Sequence, residues 1–348
     1  MRKYIALRIG KNISFFLDKK AIIVQFLLLC CAAAVFIIST GSGEMYISPA
    51  NVLKALFGSG SEMENLVIYS FRLPRIFVAL FAGMSLAVAG AILQGMIRNP
   101  LASPDILGLT AGASVFVVAF FAIFSDKNNS LTISIHWLPL AAFLGATMTA
   151  LLVYKLSWKN GITPMRLVLV GIGMSALMQA GTTLFMLLGP IYRASQANIW
   201  ITGTVYGASW EHVKMLLPWT MILLMISFVS ARHMNIQELG DELAASAGVS
   251  LQKQRFFLLA LSTALTGGAV AFAGGIGFVG LMAPHMARRL VGSSFGALLP
   301  VAALLGAILV MLADLIGRTL FAPLEIPAGV FTAAVGAPYF IYLLYKNK

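Results

Sequence analysis

"FRLPRIFVALFAGMSLAVAGAILQGMIRNPLASPDILGLTAG", residues 71–112, decides the fold. From Ile76 to Ile97 it carries no charge, bounded by Arg72 and Arg75 at one end and Arg98 at the other. A membrane-spanning helix takes about 20 apolar residues, and this run supplies them. Beyond it, Pro100 and Pro104 interrupt the chain before the next apolar stretch can settle. Proline removes a backbone donor and kinks helices. A broken helix at membrane depth is tolerated where the freed backbone groups face protein or a wet cavity.

Similar runs recur near 21–40, 75–97, 106–124, 137–156, 165–188, 215–231, 256–273, 276–291, 298–317 and 328–345. With 59% hydrophobic and 10% charged residues, the chain has the composition of a protein whose solvent is a bilayer. The expected fold class is therefore all-α: a polytopic membrane protein of about ten transmembrane helices. Residues 1–348 form one transmembrane domain, with 1–20 as an N-terminal segment and 232–255 as a polar loop. The segment 276–291 is short, glycine-rich and broken by Pro284, like the segment after Ile97. "RIFVALFAGMSLAVAG…RNPLASP" from Arg75 echoes "RFFLLALSTALTGGAV…LMAPHMARR" from Arg255. They enter the membrane from opposite sides, as an inverted repeat of the transporter kind does.

An even number of spans puts both ends on one side. Seventeen of the 24 Lys and Arg residues then lie on that side, against Lys54, Arg72, Arg75, Lys127, Arg193, Lys214 and Arg318 on the other. The positive-inside tendency makes the ends cytoplasmic. The net charge of +12 is scattered between apolar runs instead of clustered with aromatics on a soluble face, so it reads as topology and no nucleic-acid surface is expected. The basic start followed by Ala21–Ile38 resembles a signal peptide, but "STGSGEMY" lacks an A-x-A site and an uncleaved first span is expected.

No Walker A, H-E-x-x-H or nucleophile elbow occurs. Cys30 and Cys31 are adjacent and offer no metal-ligand spacing, and His136, His212, His233 and His285 are far apart. Neither catalysis, a metal site nor a resident cofactor is expected.

Pro74 suits the first turn of a helix, which would place Arg72 and Arg75 at its start, where cations oppose the macrodipole. They either form a positive spot for carboxylates on a partner or snorkel and anchor the span. Arg318 has Asp314 four residues earlier, either an intrahelical pair or a functional charge within the membrane. In "MNIQELGDELAASAGVSLQKQR", residues 234–255, Gly240, Ala244 and Gly248 recur every four positions, a helix stripe without bulk. Leu239 and Leu243 stand beside it, and Glu238, Asp241 and Glu242 keep it in water. Another surface could approach there closely, or the helix packs on its own protein.

"FRLPRIFVALFAGMSLAVAGAILQGMIRNPLASPDILGLTAGAS", "LGDELAASAGV", "GGIGFVGLMAPHMARRLVG", "ADLIGR" and "IPAGVFTAAVGAPYF" together resemble the FecCD-type permeases of ABC importers for iron-siderophores, haem and vitamin B12. The resemblance runs from about residue 45 to the end of the sequence. It implies a type II importer permease in a bacterial cell membrane, with a second permease subunit, identical or similar, and substrate passing between the two. It also implies two cytoplasmic ATPase subunits holding ATP and Mg, and an extracytoplasmic substrate-binding protein. By resemblance Arg72, Arg75 and Arg318 dock the binding protein. Leu239, Gly240, Asp241, Glu242, Ala244, Ala245 and Gly248, with the adjoining Glu238, couple to the ATPase. Ser246 and Ala247 depart from the family pattern, which often has a leucine before the glycine. Gln94, Met174 and Gln179 are expected along the translocation pathway, with a gate near Thr163 to Met165. The function expected is uptake of an iron(III)-siderophore, with vitamin B12 or haem as alternative cargo. An ion-coupled secondary transporter or a structural scaffold are the readings from other classes.

Overall fold

The computed structural model describes residues 4–9, 13–126, 130–189 and 191–346. Strands β1 (Tyr4–Ile9) and β2 (Ile13–Asp18) pair antiparallel ahead of the membrane body, an addition to the expected all-α architecture. Asp18 then caps the N-terminus of α1 (Lys19–Gly41), accepting from the Lys20 N–H. Two short helices follow, α2 (Pro49–Leu56) and α3 (Glu62–Leu66). Both carry legible start signals: Ser48 before Pro49, and a capping box of Ser61 with Glu64.

The chain continues from α3 through one π-helical segment, Val67–Arg72, directly into α4 (Leu73–Ile97). Pro74 has no N–H to give the preceding turn, and the wider π turn absorbs that loss. The helix therefore does not begin at Pro74 as expected. After α4 come α5 (Leu109–Ile123), a 3-10 turn at Ile135–Trp137, α6 (Leu138–Ser157), α7 (Pro164–Leu188), α8 (Ile191–Thr202) and α9 (Trp210–Val229). The polar segment forms α10 (Ala231–Glu238) and α11 (Asp241–Ser246), and the chain ends with α12 (Leu251–Ala273), α13 (Val279–Val291), α14 (Phe295–Thr319) and α15 (Ala328–Lys346).

Helices α1, α4, α5, α6, α7, α9, α12, α13, α14 and α15 occupy the ten expected spans. Seven are long and apolar enough to cross a bilayer; α5 and the described apolar part of α15 are shorter, and α13 has 13 residues. Two short ones begin at half depth. Gly108, just before α5, touches Gly171 and Ser175 in the middle of α7, and Gly280 at the start of α13 lies against Gly90 in the middle of α4. A side chain at Gly90 would collide with the Gly280 carbonyl, so two backbones meet where only glycine fits. Asp105 joins the two starts: it accepts the Thr110 hydroxyl at 2.6 Å and the Phe278 N–H.

The inverted echo has a structural counterpart. Each half has a long helix, a break, a half-depth helix and two more spans: α4 to α7 and α12 to α15. The first helix of each half packs on the third of the other, α4 on α14 and α12 on α6. Helix α4, the most buried span, is the axis of the core. By contrast α7 buries only Leu167, Gly171 and Met174 within its own chain, and α8, polar and preceded by Pro190, has no counterpart among the expected spans.

Candidate functional site

Polar side chains gather at two opposite faces. On the face where α1 ends, a cleft of about 820 Å³ is lined by Arg72, Arg75, Arg318, Glu44, Tyr206 and Glu325 among others. The three arginines that the sequence placed apart are brought together there, but two of them are turned inward. Arg72 is 7% exposed and Arg318 9%. Arg72 donates to the carbonyl of Thr40 at 2.7 Å and to that of Met45, and Arg318 donates to the carbonyls of Ser39 and Ser42. These carbonyls belong to the last turn of α1 and the chain just beyond. A helix C-terminus leaves four carbonyls unpaired and carries partial negative charge, and two guanidiniums satisfy both. The expectation that Arg72 and Arg75 sit unfavourably at a helix N-terminus is corrected, because the π segment continues that helix upstream.

Arg75 is the more available member. Its Nε and Nη2 both lie 2.8 Å from one Asp314 oxygen, its Nη1 lies 2.8 Å from Glu325, and the Tyr206 ring sits 5.8 Å from its guanidinium carbon. Asp314 meets Arg318 as well, at 3.6 Å across one helical turn. The intrahelical pair expected from spacing is present, yet the shorter contact is to Arg75 on another helix. Glu325 and Tyr206 were not singled out in the sequence; nothing in their local pattern marks them, since only the fold carries them to the cleft.

At the opposite face α10 and α11 are moored to the ends of four spans. Asn235 Oδ1 accepts the Phe295 N–H at 2.8 Å, capping the start of α14. Glu238 pairs with Arg288 of α13 at 2.6 Å. Asp241 takes Arg255 of α12 on both carboxylate oxygens, at 2.9 and 2.7 Å, and Arg98 at the end of α4. Asn235, Arg98, Arg255 and Arg288 escaped the sequence reading, because isolated charges near span ends look alike until the fold pairs them.

The expected small-residue stripe is corrected. Gly240 has φ +115° and ends α10, and Gly248 has φ +80° and follows α11, so neither is a helical stripe position. Those backbone values favour glycine. Ala244 is 0% exposed and faces its own protein, whereas Leu239 and Leu243 are 65% and 60% exposed. The outward surface is two leucines with Glu242 and Ala245, flanked by glycine joints. Glu238 and Asp241, expected to keep the segment wet, are committed to ion pairs.

The expected pathway residues divide. Gln94 is buried and donates to the Leu281 carbonyl at 3.3 Å, and Met174 is buried on the side of α7 that packs inward. Neither lies on the surface of this chain. Thr163 and Gln179 lie exposed, the first just before α7 and the second on its free side. Among the described residues no group of His, Cys, Asp and Glu could hold a metal ion. Of the charges used to orient the chain, Lys127 lies outside the described residues, as do Arg2, Lys3, Lys11 and Lys348. Lys54, Arg72, Arg75, Lys214 and Arg318 fall on or next to elements of the cleft face.

A sequence model of the FecCD transport family matches residues 29–346. The chain is 63% identical over 331 residues to "Probable siderophore transport system permease protein YfhA" of Bacillus subtilis (strain 168), covering 95% of this chain and 96% of that one. It is 48% identical to the "Achromobactin transport system permease protein CbrC" of Dickeya dadantii (strain 3937), covering 90% and 89%. Among solved structures, "An inward-facing conformation of a putative metal-chelate type ABC transporter" superposes with a TM-score of 0.82 at 30% identity, covering 93% of this chain and 99% of the other.

Proposed function

The chain belongs to the FecCD transport family, and we propose that it serves as the permease subunit through which an ATP-driven importer takes up an iron(III)-siderophore. Its relatives' names supply the cargo class: a siderophore system, achromobactin and iron(3+)-hydroxamate. The observation that carries the mechanism is that two polar sites lie at opposite ends of the same buried helices. Helix α4 runs from Arg75 in the cleft to Arg98 beside Asp241, and α14 runs from the cap at Asn235 to Arg318.

In this reading the cleft faces outward and receives a binding protein carrying the chelate. Arg75, held by Asp314 and Glu325, is the least buried of the three arginines and the one at the cleft surface. Arg72 and Arg318 fix the wall it stands on, so their part in docking is to shape the site. On the cytoplasmic face, Leu239 and Leu243 enter an ATPase subunit, and the ion pairs of Glu238 and Asp241 pass its movement to the membrane body. ATP and Mg belong to that separate subunit. A second permease, identical or similar, covers the free side of α7, and the chelate passes between the two. Both chain ends lie in the cytoplasm.

Radioactive iron supplied as ferric hydroxamate, ferric citrate or a ferric catecholate to cells with and without this chain tests the cargo. Chain-dependent uptake of at least one chelate is expected, and equal uptake of all three without the chain contradicts the assignment. For docking, Arg75→Glu is expected to weaken association with the binding protein more than Arg75→Met does, while both lower the melting temperature by leaving the buried Asp314 without its nearest cation. Undiminished association removes Arg75 from the docking surface.

A further inference from the structure

Arg255, at the start of the second turn of α12, is 6% exposed and its guanidinium is divided between two elements. Nη2 holds both oxygens of Asp241, the first residue of α11, while Nη1 donates to the carbonyl of Ile162 at 2.6 Å. Ile162 lies in the turn between α6 and α7, two residues before α7 begins. Its N–H also donates to Gln252 of α12 at 2.9 Å, so both backbone groups of Ile162 are held by one helix.

We propose that Arg255 is the positioning residue that carries displacement of α11 to the lower end of α7. The proposal rests on the reading of residues 238–248 as the ATPase contact and deepens it. A guanidinium is a rigid planar fork whose donors keep fixed relative positions. If α11 moves, either Arg255 follows and shifts the Ile162 carbonyl, or a buried cation loses its carboxylate, a strongly unfavourable state. Gly240 and Gly248, both at positive φ, bracket α11 and set it off as a separate short element between α10 and α12. The competing attachment is Arg98, but its pair with Asp241 is a third or more exposed on both sides and is screened by solvent. It also leads to α4, the most buried span. Helix α7, with three residues buried in this chain, carries the side that the second permease covers, so displacement of its lower end reaches the boundary between the two subunits.

The test uses the full chain assembled with its ATPase and binding protein in nanodiscs, with Cys30 and Cys31 replaced by serine. Spin labels at Lys159→Cys or Ala247→Cys are each paired with one at Ser293→Cys, and both distances are measured with and without Mg-ATP and vanadate. In the otherwise unchanged chain both distances shift on nucleotide trapping. In Arg255→Gln the 247–293 distance still shifts, while the 159–293 distance keeps its resting value in most molecules, its moved population falling roughly fivefold or more. Arg255→Lys, a point charge that cannot serve Asp241 and Ile162 together, gives an intermediate population. Asp241→Asn, at a partly exposed position, gives the same separation of the two distances and replaces Arg255→Gln if that chain does not accumulate. A 159–293 shift of full size in Arg255→Gln overturns the proposal and leaves Arg255 a local packing group. No shift at 247–293 in the unchanged chain refutes the coupling reading, and the proposal with it.

Discussion

Arg318 shows how one side chain can satisfy several demands. It spans from α14 to the carbonyls ending α1, and Asp314 stands a turn below. Helix α1 buries little of its surface and packs chiefly along α14, and this tether, with that of Arg72, fixes its end. Removing one partner from a buried charged cluster costs about 3–5 kcal/mol, because the remaining groups are left unpaired. Arg318→Met and Arg75→Gln are both expected to lower the melting temperature in detergent, since each takes a cation from the buried Asp314, and Arg318→Met the more, since it also frees the Ser39 and Ser42 carbonyls at the end of α1. Equal losses from the two substitutions would show that Arg318 does not brace α1.

At the scale of the element, α11 is a short helix whose inward residue is Ala244 and whose outward residues include Leu243, with the exposed Leu239 just before it. Ala244→Leu forces bulk into its own protein, where overpacking costs about 1–3 kcal/mol, so lowered stability is expected before any effect on the ATPase. Leu239→Ala with Leu243→Ala removes only exposed surface. It is expected to leave the melting temperature unchanged and to reduce ATPase co-purification several-fold, and normal recovery of the ATPase would take the leucines out of the interface. Gly240 occupies a backbone region that is almost exclusively glycine's, and holding another residue there costs roughly 1–3 kcal/mol. Gly240→Ala should thus loosen α11 locally, seen as faster amide exchange at residues 241–246 with the spans unaffected.

The whole molecule has a packed centre and sparsely buried outer helices, α1, α7 and α9 among them. Helices α4, α12 and α14 form the packed centre, while α7 exposes Gly173, Ala176, Ala180 and Leu184, and α15 exposes Val330, Ala334 and Val335. Small residues let helices approach closely in lipid. With the native cysteines replaced, Ala180→Cys is expected to give an oxidative cross-link between two permease subunits in the assembled transporter, whereas Leu53→Cys on α2 gives none. Orientation is checked by labelling whole cells with an impermeant thiol reagent: Tyr46→Cys should react directly and Ala247→Cys only after permeabilisation. The reverse pattern would invert the topology.

The ten spans, the interruption before α5 and the polar segment were legible in the sequence, because a bilayer imposes its thickness on composition and proline marks that break. Pro284, read as a second break, lies inside α13, and the chain breaks instead at the glycines just before that helix. What the sequence left undecided was where each polar side chain would be satisfied. The spacing of Arg72 and Pro74 read as the start of a helix, yet a π turn carried the helix past them and the last turn of α1 offered its carbonyls. The four-residue recurrence of Gly240, Ala244 and Gly248 read as one helix face, yet positive φ at both glycines split it and turned Ala244 inward. Gln94 and Met174 read as pathway residues, and packing between helices buried both. Hydrophobicity is a property of consecutive residues and survives in the linear chain. The partner of a guanidinium or a carboxylate lies tens or hundreds of residues away, and only tertiary structure brings Arg255 to Asp241 and Ile162, or Arg75 to Asp314.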